Sequence, residues 1–539
     1  MYLLNKLQKS KSQVLLVSWT VATILLLNLV ILATPKTQTK KIHNQTVSTK
    51  TQKAKSKQAL PRLQQQIATL LKQPEFTAAG VSIRIIAQAS GKVIFEKDSE
   101  KLLKPASNMK IYTTAVALET LGAEYRIRTS VYTQAKPDSQ GNIKGNLILY
   151  GRGDPTLASI YVEEAKPFDL LAKQLLDAGV RNIKGDLVAD ESYFRGSPLG
   201  QGWEWLDIQW PFGAEISALT ACDNKFDIEI KPGVKVGEAC QISTTPNVGE
   251  VSIINRLETI EAKTTREIGL NRGLADNSLL AWGKLPLDDT GFSAKIAFHQ
   301  PAKLAATLFQ QALKRVGIVV TGKIVLVDAS LRSPIPPTEP EKNKLIELAV
   351  VESPPLSELI RVVNKFSQNL YAELLLRTIG RVKGQIQKDS DEAGVEIVKD
   401  FLRQAKIDPT SLAIYDGSGL SRRDLINVLS TTELLRYMSK SPNFETFRSS
   451  LPVAGVDGTL RRRMSNTAAQ EKVQAKTGTL SNTSSLSGYV TSAVGDTFIF
   501  SIMIDNFTPE FRQALTVQDK ICEHLANFTE KIDPSIPNN

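Results

Sequence analysis

The chain has 539 residues, with 66 Lys and Arg against 55 Asp and Glu, and a formal net charge of +11. Residues 1–58 contain ten lysines and no acidic residue, so the rest of the chain carries a net charge of only +1. A nearly neutral body with 6% aromatic residues lacks the basic face that nucleic-acid binding needs. Three histidines (His43, His299 and His524) lie far apart, so we expect no metal, no other cofactor and no Ser-His-Asp triad. Any hydrolytic chemistry must use another base.

The N-terminal residues differ from the rest of the chain. Val14–Thr34 is an apolar stretch long enough to span a bilayer as a helix and longer than the apolar core of a signal peptide. We therefore predict a membrane anchor or signal over 1–34, with cleavage after Ala33 as the alternative to an uncleaved anchor. Lysines flank the segment on both sides, and a simple count by the positive-inside rule opposes export. Residues 35–58 are rich in Lys, Thr and Gln and predict a disordered tether.

The globular part begins near Ala59. Ala79–Ala87 alternates in hydrophobicity, Ser90-Gly91 marks a turn, and Lys92–Glu96 returns, which predicts a β-hairpin. A helix is predicted over Ser107–Leu121, ended by Gly122.

The middle of the chain contains an approximate repeat. A helical pattern at Leu170–Leu176 precedes an apolar pair at Leu187-Val188, and Leu304–Leu313 precedes Ile324-Val325 in the same way. Two helix-then-strand units predict an α/β lobe. Between them, short strand-like runs at 226–230, 251–254 and 292–298 predict a small β lobe. Cys222 and Cys240 fall in or beside it, either as a disulfide or as two buried thiols.

The C-terminal region returns to strands. Val473–Thr477, Ser485–Ala493 and Thr497–Asp505 predict successive strands, and Thr508-Pro509 opens a last helix that reaches about Phe528. Strands at both ends of the chain with helices between them suggest one sheet built from both ends. The middle lobes would then be an insertion.

Three short motifs carry the candidate chemistry. Ser107 stands at a helix start with Lys110 one turn later, so a hydroxyl has an amine on the same helix face. Ser367-Gln368-Asn369 precedes an apolar helix, and Lys476-Thr477-Gly478 lies on a predicted strand. Each motif alone is weak, since a capping Ser, a solvated Lys or an exposed strand end would also fit it. Ser441-Pro442-Asn443 also fits S-x-N, but its Pro and the short run after it predict a turn.

In the order S-x-x-K, S-x-N, K-T-G, these motifs form the signature of the active-serine penicillin-recognising enzymes. Three longer strings resemble one branch, the class C (type-4) penicillin-binding proteins, which are D-alanyl-D-alanine carboxypeptidases and endopeptidases. These strings are LYGRGDPTL at 149–157, DGSGLSR at 416–422 and LPVAGVDGTL at 451–460. The family also carries two lobes between its first and second motifs. The resemblance covers about 60–528.

The resemblance implies a fold of the α/β (α+β) class. It consists of a serine β-lactamase/DD-peptidase-like sheet flanked by helices, with an inserted α/β lobe that itself carries a small β lobe. The predicted domains are a catalytic domain at 59–130 and 352–530, an α/β lobe at 131–217 and 301–351, and a β lobe at 218–300.

The resemblance also implies acyl transfer without a cofactor. Ser107 attacks the peptide bond between two D-alanines of a peptidoglycan stem peptide, Lys110 as a neutral amine takes its proton, and Ser367 relays a proton to the leaving amine. The substrate-binding residues are Asn369, which positions Lys110, and Lys476, Thr477 and Gly478, which line the pocket for the terminal carboxylate. The backbone N–H groups of Ser107 and Thr479 form the oxyanion hole.

Two further residues are candidates. Asp190 resembles a family aspartate that faces the amino end of a diamino-acid side chain, and it could equally cap a turn at a strand end. Arg422 either lines the cleft or pairs with Asp424. After the third motif, Ser481 and Asn482 depart from the pattern of some relatives. The third residue of the stem peptide and the balance of carboxypeptidase and endopeptidase activity therefore stay open.

The implied partners are peptidoglycan peptides, β-lactam antibiotics as covalent inhibitors, and the membrane through the N-terminal segment. The expected location is the cell envelope outside the cytoplasmic membrane, in the periplasm. Two other functions are open: a β-lactamase or esterase that uses the same motifs, and a catalytically silent wall-binding scaffold. The long insertion and the lack of an evident deacylating Glu after Ser367 argue against a β-lactamase, and three intact motifs argue against a silent scaffold.

Overall fold

A computed structural model describes residues 59–159, 166–327, 345–508 and 511–532. The predicted membrane segment at 14–34 and the tether at 35–58 lie outside these residues. Among the helices of the described ranges, none is long and apolar enough to cross a membrane.

The described chain alternates between strand-rich and helix-rich stretches. In chain order the strands are β1 (Gly80–Ala87), β2 (Val93–Lys97), β3 (Arg128–Thr133), β4 (Asn142–Ile143), β5 (Leu147–Tyr150), β6 (Asn182–Ile183), β7 (Leu187–Asp190), β8 (Lys225–Lys231), β9 (Gln241–Thr245), β10 (Ser252–Ile260), β11 (Glu267–Arg272), β12 (Ser278–Pro286), β13 (Phe292–Ala297), β14 (Val319–Val320), β15 (Ile324–Val327), β16 (Ile346–Glu352), β17 (Val473–Leu480), β18 (Thr483–Thr491) and β19 (Thr497–Asp505). The helices are α1 (59–71), α2 (Met109–Leu121), α3 (Pro167–Asp177), α4 (Pro301–Arg315), α5 (Leu356–Lys365), α6 (Asn369–Lys383), α7 (Ser390–Gln404), α8 (Val428–Met438), α9 (Phe444–Ser450) and α10 (Phe511–Ala526).

The first and last strands form one antiparallel sheet in the order β17-β18-β19-β1-β2. Side chains of a strand point alternately to its two faces. Phe498, Phe500 and Ile502 therefore enter a core shared with α1 and α10, whereas Ile499 and Met503 enter a second core shared with α2, α5, α6 and α8. Helices cover both faces, so β18 and β19 are buried along almost their whole length. The prediction of one sheet built from both ends of the chain is confirmed.

The helix that carries the first motif starts differently from its prediction. A 3-10 turn at Ala106–Asn108 precedes α2, and Gly122, with φ of 88°, follows its last residue. Ala106 has a left-handed φ of 48°, which bends the chain immediately before Ser107. Ser107 therefore lies in a tight, strained turn rather than in regular helix.

The inserted α/β lobe is built on a sheet in the order β15-β7-β5-β3-β16, in which β5, β7 and β15 run parallel. A second small parallel sheet has the order β14-β6-β4. Helix α3 leads into β6 and β7, and α4 leads into β14 and β15, as the repeat predicts. Apolar residues of both helices, including Leu171 and Phe309, share one core with the sheet.

The inserted β lobe contains two three-stranded sheets, β13-β8-β9 and β10-β12-β11. The sequence predicts parts of β8, β10 and β13 but not β9, β11 and β12. Strands β11 and β12 contain Gly269 and Gly283, and glycine weakens a strand signal. Cys222 and Cys240 are both free thiols, so the disulfide alternative is wrong. Cys240 faces Thr259 in the lobe core, whereas Cys222 lies in a left-handed turn at 222–224, where burial raises the pKa of its thiol to about 11.

Candidate active site

The first motif lies where α2 begins against the end of the antiparallel sheet. Ser107 and Lys110 are one helical turn apart, so their side chains share one face. Lys110 Nζ and Ser107 Oγ lie 2.8 Å apart, and Lys110 is fully buried. The fold therefore holds a hydroxyl against a buried amine.

Lys110 has two further partners, which limit how its protons can be arranged. Its Nζ lies 2.6 Å from Asn369 Oδ1 and 2.7 Å from the carbonyl oxygen of Ser418. Both partners can only accept. A neutral amine donates its two N–H groups to them and keeps its lone pair for the Ser107 hydroxyl. The geometry therefore suits Lys110 as a general base that takes the proton of Ser107.

The electrostatic environment of Lys110 agrees with this arrangement. Burial lowers the pKa of Lys110 from 10.5 to about 7, and the charges of Asp416 and Glu373 oppose this shift. Because a general base works best with a pKa near the operating pH, the amine is poised for proton transfer near neutrality.

The second motif is fixed by an unusual backbone and by the inserted region. Ser367 has a left-handed φ of 57°, which a non-glycine residue adopts only when its surroundings impose it. Its Oγ lies 2.9 Å from Lys476 Nζ. Asn369 is the first residue of α6, and its Nδ2 donates to the carbonyl of Phe212 at 2.8 Å. This bond directs Asn369 Oδ1 toward Lys110.

The third motif lies on β17. Lys476 is fully buried and donates to Ser367 Oγ and, at 2.8 Å, to the carbonyl of Thr477. Burial lowers its pKa well below the usual range, and the charge of Lys110 adds to the shift. Thr477 Oγ1 donates to Thr459 Oγ1 at 2.8 Å. Among the described residues, no carboxylate lies within ion-pair distance of Lys476.

Gly478 lets β17 pass close to the nucleophile. A Cβ atom at this position would lie 2.6 Å from the carbonyl oxygen of Pro105 and 3.1 Å from the backbone nitrogen of Ser107. It would also lie 2.1 Å from Ser485 Oγ, which donates to that same Pro105 carbonyl. The absence of a side chain therefore sets the distance between the first and third motifs.

The three motifs open into one pocket of about 450 Å³. It is lined by Ser107, Asp207, Phe212, Ser367, Asn369, Gly419, Leu420, Arg422, Thr459, Thr477, Thr479, Leu480 and Ser481. The structure thus brings together Ser107, the second and third motifs and Thr479. Lys110 and Lys476 lie beneath its surface.

Sequence reasoning missed two pocket residues, Asp207 and Phe212, which come from an irregular stretch before the β lobe. Arg422 Nη1 donates to Asp207 Oδ2 at 2.6 Å and to the carbonyl of Leu420 at 2.9 Å, and Arg422 Nε lies 3.1 Å from a carboxylate oxygen of Glu204. Of the two alternatives for Arg422, it lines the pocket and pairs with Asp207 rather than with Asp424. Hydrophobic residues in this stretch show neither helical nor strand periodicity. Its high density of aromatic residues is the sequence signal that could have identified it.

Asp190 ends β7, and its Oδ1 accepts the backbone N–H of Ser192 at 2.8 Å. This contact is the turn cap that the sequence analysis names as one alternative. Among the described residues, those that line the pocket at Ser107 do not include Asp190; the aspartate that does is Asp207.

The second S-x-N match lies elsewhere. Ser441 Oγ donates to Glu119 Oε1, and Asn443 Nδ2 donates to the same oxygen at 3.1 Å. Glu119 stands near the last turn of α2, more than two turns from Lys110. The prediction that Ser441-Pro442-Asn443 forms a turn agrees with its bonds from Asn443 N to Ser441 Oγ and from Phe444 N to the carbonyl of Ser441.

Comparison with known proteins gives one consistent result. The model of the "D-Ala-D-Ala carboxypeptidase 3 (S13)" family matches residues 63–528. A D-alanyl-D-alanine carboxypeptidase of Actinomadura sp. is 33% identical over 480 residues, which cover 87% of this chain and 85% of the relative. The D-alanyl-D-alanine carboxypeptidase DacB of Haemophilus influenzae is 28% identical over 464 residues, 86% of this chain and 92% of the relative.

Solved structures agree at the level of the fold. The crystal structure of penicillin-binding protein 4 from Haemophilus influenzae superposes with a TM-score of 0.73 at 24% identity and covers 86% of this chain and 99% of its own. The same protein in complex with a β-lactam gives a TM-score of 0.68 at 22% identity, covering 84% and 97% of the two chains. The predicted fold class is confirmed.

Proposed function

Because the chain belongs to the D-Ala-D-Ala carboxypeptidase 3 (S13) family, we propose that Ser107 attacks the carbonyl between the last two D-alanines of a peptidoglycan stem peptide. The activity is that of a serine-type D-Ala-D-Ala carboxypeptidase, a peptidase hydrolase. The observation that carries the assignment to Ser107 is its contact of 2.8 Å with the buried Lys110.

In the acylation step, Ser107 Oγ bonds to the carbonyl carbon while its proton passes to the neutral Lys110 amine. The backbone N–H groups of Ser107 and Thr479 stabilise the oxyanion, and each such donor contributes about 10²- to 10³-fold to the rate. The C–N bond then breaks and D-alanine leaves with a proton relayed by Ser367, whose hydroxyl Lys476 holds. Water releases the acyl group from Ser107 in the second half-reaction.

Lys476 and Thr477 suit recognition of the terminal carboxylate. Lys476 is buried, and burial disfavours its charged form. A substrate carboxylate would supply the counter-charge and favour that charged form. Thr477 presents its hydroxyl at the pocket surface. A peptide with a free C-terminal carboxylate therefore fits this pocket better than one with an amidated end.

For the side chain at the third position of the stem peptide, there are two candidates: Asp190, which the resemblance implies, and Asp207, which lines the pocket. The amino end of a diamino acid would share the Asp207 carboxylate with Arg422. Endopeptidase activity on cross-links would use the same pocket and the same serine.

We further propose that β-lactams acylate Ser107, because they carry a carbonyl and a carboxylate at a spacing similar to that of the peptide. The enzyme would act in the cell envelope outside the cytoplasmic membrane, held there by the segment at 14–34. Fractionation of cells that express the full chain or a variant without residues 1–34 tests this placement; recovery of the full chain in the soluble fraction would contradict anchoring.

The test of the function uses the purified full chain and a pentapeptide that ends in D-Ala-D-Ala. Free D-alanine should appear with the wild type and be lost in Ser107→Ala, while Ser441→Ala serves as a matched control and keeps the activity. A silent scaffold would release no D-alanine from the wild type. A β-lactamase would turn over a fluorescent penicillin rapidly instead of retaining it covalently.

A further inference from the structure

Three carboxyl groups are buried beside Lys110, and the acyl-transfer steps above use none of them. Glu373 lies on α6, while Asp416 and Asp424 lie on the loop before α8. Their exposures are 1%, 1% and 0%. Buried carboxyls are rare in proteins unless they are hydrogen-bonded or paired, so each one needs a physical account.

Glu373 holds the segment that contacts Lys110. Its Oε1 accepts the backbone N–H of Gly417 at 3.0 Å and that of Ser418 at 2.8 Å. The carbonyl of Ser418 is in turn the acceptor 2.7 Å from Lys110 Nζ. Glu373 is also one turn from Asn369 on α6, so a single helix face supplies one partner of Lys110 directly and fixes the other.

Asp416 is satisfied by donors on both oxygens. Oδ1 accepts the backbone N–H of Gly419 at 2.6 Å, and Oδ2 accepts the backbone N–H of Ser421 at 2.8 Å and Trp203 Nε1 at 2.9 Å. Both oxygens of this buried carboxyl are therefore paired. Asp424 Oδ1 accepts the N–H of Tyr415, while its Oδ2 has no donor among the described residues and its carboxyl faces Asp416. Such an environment suits a protonated Asp424.

The charged groups around Glu373 and Lys110 come from four elements. Asp416 and Asp424 come from the loop, Arg377 from α6, Lys476 from β17 and Lys110 itself from α2. Glu373 and Asp416 are the carboxyls whose charge acts on Lys110. Burial, followed by the charge of Asp416, raises the pKa of Glu373 above its usual range. The charge of Glu373 in turn raises the pKa of Lys110, against the larger effect of burial.

We propose that Glu373 is a positioning residue for the reaction, which holds the Ser418 carbonyl against Lys110 and provides the buried carboxyl that faces this amine when it gains the Ser107 proton. This role rests on the proposed function of Lys110 as the base. It makes the alignment and charge of the base depend on a residue outside the three motifs.

Two substitutions separate the positioning of the Ser418 segment by Glu373 from the effect of its charge on Lys110. Both amide bonds go to the same oxygen of Glu373, so the single oxygen of a glutamine can keep both of them. Glu373→Gln therefore removes the ionisable group and preserves the loop. Glu373→Leu removes the group and both bonds. Glu119→Gln is the matched control, because Glu119 lies at the far end of α2 and bonds to Ser441 and Asn443.

The measurement is the rate of acylation of the full-length protein by a β-lactam between pH 5 and 9, together with the melting temperature of each variant. The charge of Glu373 raises the pKa of Lys110, and Glu373→Gln removes this charge, so the rise of the acylation rate with pH should begin at lower pH in this variant. Glu373→Leu should lose at least about tenfold in the plateau rate. Glu119→Gln should keep the wild-type profile.

If a folded Glu373→Gln variant shows the same rise of the acylation rate with pH as the wild type, the proposal is overturned, since replacing a purely structural residue would not shift that rise. A wild-type rate in Glu373→Leu would overturn it as well. If Glu373→Leu does not fold, the Gln variant alone decides. A wild type that is never acylated would instead refute the proposed function, so the two failures are distinguishable.

Discussion

Lys476 Nζ lies 2.9 Å from Ser367 Oγ, which joins the third motif to the second across 109 positions of sequence. Lys110 joins the first motif to the second in the same way, through Asn369 Oδ1. The two serines thus each have a buried lysine, and the two lysines are close enough for the charge of one to lower the pKa of the other. Burial and, after it, the charge of Lys110 therefore lower the pKa of Lys476 and favour its neutral form.

The lowered pKa of Lys110 predicts how the rate of acylation changes with pH. The amine loses its proton near pH 7 instead of near 10.5, so the rate of acylation by a β-lactam should rise as the pH passes through about 7 and then level off. Lys110→Arg keeps the charge but cannot accept a proton, and it should lower the plateau rate by about 10²- to 10⁴-fold. A rate that is flat from pH 5 to 8, or that rises only near pH 10, would contradict Lys110 as the base.

The two S-x-N segments offer a paired test of the proton relay. Ser367→Ala removes the hydroxyl that Lys476 holds, and release of D-alanine from a pentapeptide should fall by about 10²- to 10⁴-fold. Ser441→Ala removes two partly buried bonds, to Glu119 and from the backbone N–H of Asn443, and neither residue lines the pocket, so the rate should be unchanged. Equal rates for the two variants would rule out the assignment of Ser367.

Gly478→Ala tests the close approach of β17 to the nucleophile. The added methyl group meets the backbone oxygen of Pro105, which cannot rotate away, so the turn that carries Ser107 must shift. A displacement of about 1 Å at a reacting group costs on the order of 10²-fold in rate. We expect that loss in the acylation rate, with a folded protein by circular dichroism. Wild-type acylation would show that the turn adapts without cost.

Asp207 and Asp190 make different predictions for substrate choice. Asp207→Asn should raise the KM for a pentapeptide with lysine at the third position and leave the KM for one with alanine there unchanged. Asp190→Asn should affect neither, because its carboxyl caps a turn. The reverse pattern, selectivity lost only in Asp190→Asn, would return the role to Asp190.

The sequence predicts those parts of the fold that have local signals. Alternation in Ala79–Ala87 predicts β1, and Gly122 predicts the end of α2; both signals depend on neighbouring residues and both predictions are confirmed. Strands β11 and β12 are not predicted, because Gly269 and Gly283 interrupt their hydrophobic pattern. Strands at both ends of the chain predict one shared sheet, but the order of its strands depends on tertiary pairing and is not predicted.

The active site likewise contains residues that the sequence predicts and residues that it does not. The three motifs are short strings whose spacing can be read directly, and they meet in one pocket. Asp207 and Phe212 come from an irregular loop, and Glu373 lies inside a helix that is apolar on most sides, so no local pattern marks them. Their proximity to Ser107 and Lys110 arises from tertiary packing. The sequence likewise allowed a Cys222–Cys240 disulfide that the fold does not form.

Peptide mapping tests most directly whether Ser107 Oγ is the acylated atom. The full-length protein is incubated with a β-lactam, digested and analysed by mass spectrometry, with Ser107→Ala in parallel. The account predicts one adduct, on the peptide that contains Ser107, and none in the variant. An adduct on any other residue, or undiminished labelling of Ser107→Ala, would contradict it.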